Sequence, residues 1–315
     1  MNQKLKTILS IFFALFLTTG NAQIKFEVNH QSYDTLKLEM HKYLSIPELR
    51  YSSRLKSITE IDLIPISNDS QVRYKWNINS SKVFFWNTRF DYTELEFKAT
   101  KFFDGLTLEF NLTKNGQLIY LSNFNSLKDS LYSRAQIYYS QDSINIPNDK
   151  RITGQKFDSE LFDYYYKSVI NEEVFLEIHF PEVLLFFEVN NKAFRPYESN
   201  IEKVRTTFRK LELFEIEMTK NSMLVFDNNL KSEIEIQLEL TKKGCEIIQN
   251  QLTNRIQNLK EFNIDEIEKF ECQRSRITQN FKYNKRLKII ESAYEKKTLT
   301  INDEPYYFWT EIKMR

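Results

Sequence analysis

Three histidines and two cysteines are the residues of this sequence best suited to acid–base, nucleophilic or metal chemistry. His30, His41 and His179 lie far apart, and none stands at ligand spacing from another His or a Cys. No H-E-x-x-H occurs, which removes the zincin signature. His30 and His41 fall in polar stretches and are expected to be solvated. His179 sits in an apolar run beside Glu177 and Pro181. A buried or interfacial imidazole is the expectation there, with a catalytic base as the alternative. Cys245 and Cys272 can pair in an oxidising compartment or remain two buried thiols, and two cysteines alone make no metal site. Neither a metal nor a cofactor is expected.

The remaining chemistry-bearing groups are less pointed. Asp227-Asn-Asn229 starts like a calcium loop, but Lys231 takes the third ligand position and the glycine is missing, so it reads as a turn. Asp158, Glu160 and Asp163 cluster where a helix should begin, which the helix dipole explains without catalysis. The chain has 5 glycines, too few and too scattered for a phosphate-cradling loop, and no G-x-S-x-G is present. Two aromatic clusters, Tyr164-Tyr165-Tyr166 and Tyr306-Tyr307-Phe308-Trp309, suit core and edge packing, stacking on sugars, or the wall of a lipid pocket.

The elements that would hold these groups are mostly strands. Apolar residues alternate with polar ones at 72–78, 94–99, 106–112, 214–218 and 233–240, as in strands with one packed and one wet face. Three more strands are expected near 274–283, 286–301 and 305–314. Helical spacing links Leu127, Leu131, Ala135 and Tyr138 after Ser126, with Asp129 placed as in a capping box. Ile248, Leu252, Ile256 and Leu259 repeat the spacing. Residues 158–178 predict a helix that Pro181 breaks and restarts as a short one over 181–188. That middle segment is unusually apolar. Phe162, Tyr165, Phe175 and Phe186 are its candidates for an apolar ligand face.

Phe110-Asn-Leu-Thr-Lys-Asn-Gly116 echoes Leu238-Glu-Leu-Thr-Lys-Lys-Gly244. Each copy ends a strand, places Gly in a turn and leads to a helix. The echo fits either two related lobes or coincidence. Polar stretches at 140–154 and 190–203 divide the chain. The expected class is α+β, mainly antiparallel sheet: a β-rich lobe at 23–145 with a C-terminal helix, a helical connector at 155–195, and a second β-rich lobe at 200–315.

The N-terminus carries an export signal. Lys4 and Lys6 precede the apolar run Ile8–Leu17, and Gly20 and Ala22 stand at −3 and −1 of a small-x-small site. Residues 1–22 are therefore expected to be a signal peptide cleaved after Ala22. The run is too short for a good membrane anchor, and no transmembrane helix is expected in the mature chain. Loss of Lys4 and Lys6 takes the basic residues from 44 to 42, against 43 acidic ones. That interspersed balance leaves no footprint for nucleic acid and no polybasic stretch for anionic lipid.

The leader ending Asn21-Ala22-Gln23, the Lys/Ile/Asn/Phe-rich composition and the segment LTKNGQLIYLSNFNSLKDSL at 112–131 resemble exported proteins of Bacteroidota, a group of unknown function. The resemblance implies a periplasmic or cell-surface location and no mechanism. The leading expectation is a non-catalytic binding or envelope-associated protein, with an apolar or lipid-like ligand. A hydrolase of envelope polymers without a recognisable motif and a protein–protein interaction module are the alternatives.

Overall fold

The computed structural model describes residues 24–28, 34–48, 51–67, 72–86, 103–113, 118–142, 171–190, 192–195, 197–208, 212–258, 271–301 and 303–315. The strands are β1 (Ile24–Lys25), β2 (Leu36–Glu48), β3 (Tyr51–Ser67), β4 (Val72–Trp86), β5 (Thr107–Leu112), β6 (Leu118–Leu121), β7 (Ala193–Phe194), β8 (Glu198–Phe208), β9 (Glu212–Asp227), β10 (Lys231–Leu240), β11 (Arg276–Asn284), β12 (Ile289–Ile301) and β13 (Glu304–Met314). The helices are α1 (Phe124–Asp142), α2 (Glu172–His179), α3 (Pro181–Phe187) and α4 (Lys242–Asn258).

Eleven strands form one sheet in the order β6-β5-β4-β3-β2-β13-β12-β11-β10-β9-β8, and every ladder is antiparallel. The two strand-rich segments are therefore two meanders that meet at β2 and β13, where Met40 faces Ile312. A separate two-stranded ladder joins β1 to β7.

The expected strands near 72–78, 106–112, 214–218 and 233–240 lie in β4, β5, β9 and β10, and the three C-terminal ones are β11, β12 and β13. The alternation at 94–99 lies outside the described residues. β2, β3 and β8 lie where the alternation above marks no strand: Leu36, Leu38 and Met40 alternate with Lys37, Glu39 and His41 just as clearly, and β8 begins inside the polar stretch at 190–203 expected to divide the chain. Every second residue along a strand points to one face, so Leu38, Met40, Ile61, Leu63, Tyr74, Trp76, Phe110, Ile312, Ala293, Phe281 and Ile234 build one continuous buried face, called the inner face below.

Helix α3 packs on that face, and α2 packs against α3 and, through Phe175 on Phe124, against α1. Asn171 caps α2 by accepting the Val174 N–H at 2.9 Å, and Pro181 opens α3 at its first turn, where the missing N–H removes no helical hydrogen bond. α3 lies over β12 and β13 and also meets β4 and β5, through Trp76–Phe186 at 5.9 Å, Tyr74–Phe187 at 5.4 Å and Phe110–Phe187 at 5.3 Å between ring centroids.

Two local expectations need correction. α1 begins at Phe124 rather than after a Ser126 cap. Asn123 precedes it and ties it to the sheet: its amide donates to the Thr107 carbonyl at 2.8 Å and accepts the Glu109 N–H at 2.9 Å. Gly244 lies in the first turn of α4 rather than in a turn before the helix, and Thr241 accepts its N–H at 3.1 Å. A Cβ at Gly244 would overlap the Glu217 carbonyl oxygen of β9, so glycine is what allows the helix to approach the strand. The echo with Phe110–Gly116 thus stops at the strand ends. β10 leads straight into α4, whereas β6 intervenes between β5 and α1, and Gly116 lies outside the described residues.

Candidate functional site

The structure places His179 at the end of α2 among rings. Phe175 lies at 5.0 Å, Phe103 at 6.3 Å and Phe180 at 6.4 Å from it, centroid to centroid. The ring keeps a little surface exposure, yet burial pushes its pKa down to about 4, so the imidazole is neutral at pH 7. Glu177, two residues earlier, is held above the usual carboxylate range by burial, with Arg205 opposing. Positions two apart on a helix point in different directions, so Glu177 and His179 do not form a working pair.

Phe175 and Phe186 are fully surrounded. Phe175 meets Phe124 at 5.4 Å, and Phe186 meets Trp76 and, at 5.3 Å, Phe187. Both are core side chains filled by neighbours. Phe162 and Tyr165 lie outside the described residues, as do His30 and the Tyr164–Tyr166 cluster. Cys245 of α4 and Cys272, which opens the short 3-10 turn Cys272–Arg274 before β11, are joined in a disulfide with Cα atoms 5.6 Å apart. His41 is buried on β2 rather than solvated, with Nε2 2.5 Å from Glu39 Oε1. That hydrogen bond holds the Glu39 carboxyl below its usual range, and Lys313 and Arg315 add to the effect.

Beyond α3 the inner face turns polar. Ser57, Lys42, Thr310, Glu295 and Gln279 stand side by side on β3, β2, β13, β12 and β11. Lys42 Nζ donates to Glu182 Oε2 of α3 at 2.9 Å, and Gln279 donates to Glu295 Oε2 at 2.9 Å, with Lys297 Nζ 3.2 Å from the other oxygen. Buried hydroxyls of Thr59 and Ser81 bond each other at 3.0 Å. Polar residues on a core-facing side are the informative exception in a sheet. Here each named charge already has an internal partner, so the row secures α3 and the central strands.

The opposite, outer face carries a different row. Phe84, Lys56, Tyr43, Trp309, Lys296 and Thr278 are direct cross-strand neighbours on β4, β3, β2, β13, β12 and β11. At roughly 4.8 Å per strand the row extends about 24 Å. Tyr43 and Trp309 stack at 5.5 Å with an interplanar angle of 17°. Tyr294 leans on Trp309 at 6.2 Å, and Lys296 Nζ lies 4.9 Å over the Tyr307 ring. All four of these rings are half-buried and Phe84 is exposed. Burial and the nearby Glu311 carboxylate raise the Tyr294 phenol, so it stays a hydrogen-bond donor at neutral pH. Tyr307 and Trp309, in the aromatic run at 306–309, carry this site in the sequence. Their partners Tyr43, Lys56 and Phe84 belong to distant segments, and no local signal connects them.

Among the described residues no group of three or more His, Cys, Asp or Glu side chains could hold a metal ion, and no helix is long and apolar enough to cross a membrane. No protein-family model matches the chain, and no curated protein matches it in sequence. Two solved structures align over most of the length. DynF, from the dynemicin biosynthesis pathway of Micromonospora chersina, is 7% identical over 94% of this chain and 85% of its own, with a TM-score of 0.17. A porin-like protein from Bacteroides uniformis is 6% identical over 88% of this chain and 96% of its own, also with a TM-score of 0.17. At that score neither likeness carries an argument about fold or function.

Proposed function

We propose that this chain is an exported, non-catalytic binding protein of the cell envelope, and that it holds saccharide on the outer face of its sheet. The observation that carries this reading is the cross-strand row in which the Tyr43–Trp309 stack is flanked by Lys56 and Lys296. Aromatic faces pack against the C–H faces of sugar rings, and neighbouring ammonium and phenol groups bond the hydroxyls. Rigid strands fix the spacing of these groups before a ligand arrives, which lowers the entropy lost on binding. The disulfide and the leader support an oxidising location outside the cytoplasm. An apolar ligand among the central helices is less well supported, because Phe175 and Phe186 pack against other rings of the core.

The test uses mature protein from Gln23 onward, with peptidoglycan sacculi in co-sedimentation and soluble chito- and cello-oligosaccharides in tryptophan fluorescence titration. Saturable binding that weakens at least tenfold in Trp309→Ala and Tyr43→Ala, with the far-ultraviolet spectrum retained, supports the proposal. Absence of binding to all of these, or binding indifferent to both substitutions, overturns it. A lipid released by solvent extraction of protein made in the periplasm would favour the apolar-ligand reading.

A further inference from the structure

Five large apolar side chains project from one end of the sheet. Tyr197 is 83% exposed, Leu230 58%, Val225 56%, Leu287 48% and Phe226 44%. They come from three segments that the topology brings together. Val225, Phe226 and Leu230 belong to the β9–β10 hairpin, and Leu287 to the β11–β12 hairpin beside it, whose Lys285 N–H donates to the Leu230 carbonyl at 2.7 Å. Glu198 pairs with Ser222, so Tyr197 flanks the part of β9 that runs on to Val225.

Both turns are held in shape. Asn228 Oδ1 accepts the N–H groups of Leu230 at 2.8 Å and Lys231 at 2.7 Å, and Asn284 Oδ1 accepts that of Leu287 at 2.9 Å. Ordered turns that keep leucines in water are unfavourable for an isolated molecule, and exposed apolar clusters of this kind mark contact surfaces.

The charge around the cluster selects the partner. Lys25, Arg195, Lys231, Lys285, Arg286 and Lys288 lie on these hairpins and on the adjoining β1–β7 ladder, against the carboxylates of Glu27, Glu198, Asp227 and Glu291. Lys231 pairs with Glu291 and Lys285 with Asp227, Lys25 and Lys288 share Glu27 at 3.0 and 3.5 Å, and Arg195 and Arg286 enter no ion pair among the described residues. The surplus is cationic in a chain with a formal net charge of only +1. The start of the described chain is at the same end. Phe26 stacks on Tyr283 at 4.8 Å, and Tyr283 donates its phenolic hydrogen to the Glu27 carbonyl.

We propose that this end of the sheet docks on an anionic lipid bilayer. Tyr197, Val225, Phe226, Leu230 and Leu287 enter the interface between headgroups and acyl chains, and the surrounding lysines and arginines meet the phosphates. Burial of apolar area and attraction to anionic lipid are both needed, since neither alone gives firm attachment.

The experiment is co-sedimentation of mature protein with sucrose-loaded vesicles of phosphatidylglycerol and phosphatidylethanolamine, with phosphatidylcholine vesicles for comparison. The wild type is expected to partition onto the anionic vesicles and to be released by high salt. A Leu230→Asp, Leu287→Asp variant should lose at least tenfold in partitioning while keeping its urea midpoint, since both side chains are exposed. Arg286→Glu should weaken binding to anionic vesicles only. Trp309→Ala should bind vesicles normally, which separates this proposal from the saccharide reading. No binding by the wild type, or equal binding by the leucine variant, overturns the proposal. So does a leucine variant that loses self-association in sedimentation velocity with vesicle binding unchanged, because the cluster would then be a contact between copies.

Discussion

Lys42 Nζ donates to Glu182 Oε2 at 2.9 Å, joining β2 to α3 across 140 residues of chain. Glu182 is only 3% exposed, whereas Lys42 keeps contact with water. Removing the lysine leaves a buried carboxylate without its cation. Lys42→Met should destabilise the protein by about 2 kcal/mol. The Lys42→Met, Glu182→Leu double variant should recover most of that loss, because an apolar pair carries no desolvation penalty. Urea unfolding of the four proteins of the cycle measures the coupling. Strict additivity of the two substitutions would show that the contact does not secure α3.

His179 makes stability depend on pH. Its folded pKa of about 4 lies below the ordinary value of 6.5, so the unfolded chain binds the extra proton first as pH falls. The neutral ring contributes fully above pH 6.5, and that contribution is lost as pH drops through 4. The loss should reach about 2 kcal/mol by pH 5 and about 3 kcal/mol once the pH has fallen below 4. Urea midpoints of wild type and His179→Phe at pH 7 and pH 5 isolate the effect, and the variant should show the smaller drop. Equal drops would mean that the imidazole titrates in the folded protein as it does in water.

The disulfide closes a loop between residues 27 apart in sequence. Reduction, or the Cys245→Ser, Cys272→Ser variant, should lower stability by about 3 kcal/mol through the freed unfolded chain. Intact mass before and after reduction reports the bond directly, since reduction adds the mass of two hydrogens. An unchanged mass would show that the thiols are free.

Gly244→Ala sets two effects against each other. Alanine favours a helix by about 1 kcal/mol over glycine. The new methyl would overlap the Glu217 backbone oxygen, which cannot move without disturbing β9, and overpacking of that kind costs about 2 kcal/mol. The clash should win, giving a lower urea midpoint. A raised midpoint would show that α4 does not sit tightly on β9.

Asn190 is buried just after α3, and neither atom of its amide has a hydrogen-bond partner among the described residues. Asn190→Leu should therefore be neutral or stabilising by about 1 kcal/mol, because an unpaired buried amide is a penalty that an apolar side chain lacks. Circular dichroism melting compares the two proteins. A clear loss of stability would show that the amide does have a partner.

By itself the sequence determined the local grammar of this protein. Alternation marks β4, β5, β9 and β10 and the three C-terminal strands, because a strand with one buried face must repeat every two residues. Pro181 and the apolar run before it mark the α2–α3 break for an equally local reason. Only the tertiary structure decided which strands are neighbours. The pairing of β2 with β13 merges the two strand-rich segments into one sheet, and no residue near either strand encodes that partner. The same holds for the surfaces on which function is proposed. Tyr43 meets Trp309, and the turn at Leu230 comes beside the one that starts at Lys285, because hydrogen-bonded ladders set residues from distant segments about 5 Å apart. The sequence reads as having no basic patch, since its cations are scattered along the chain. Folding gathers several of them around one apolar tip, and that concentration exists only once the sheet is formed.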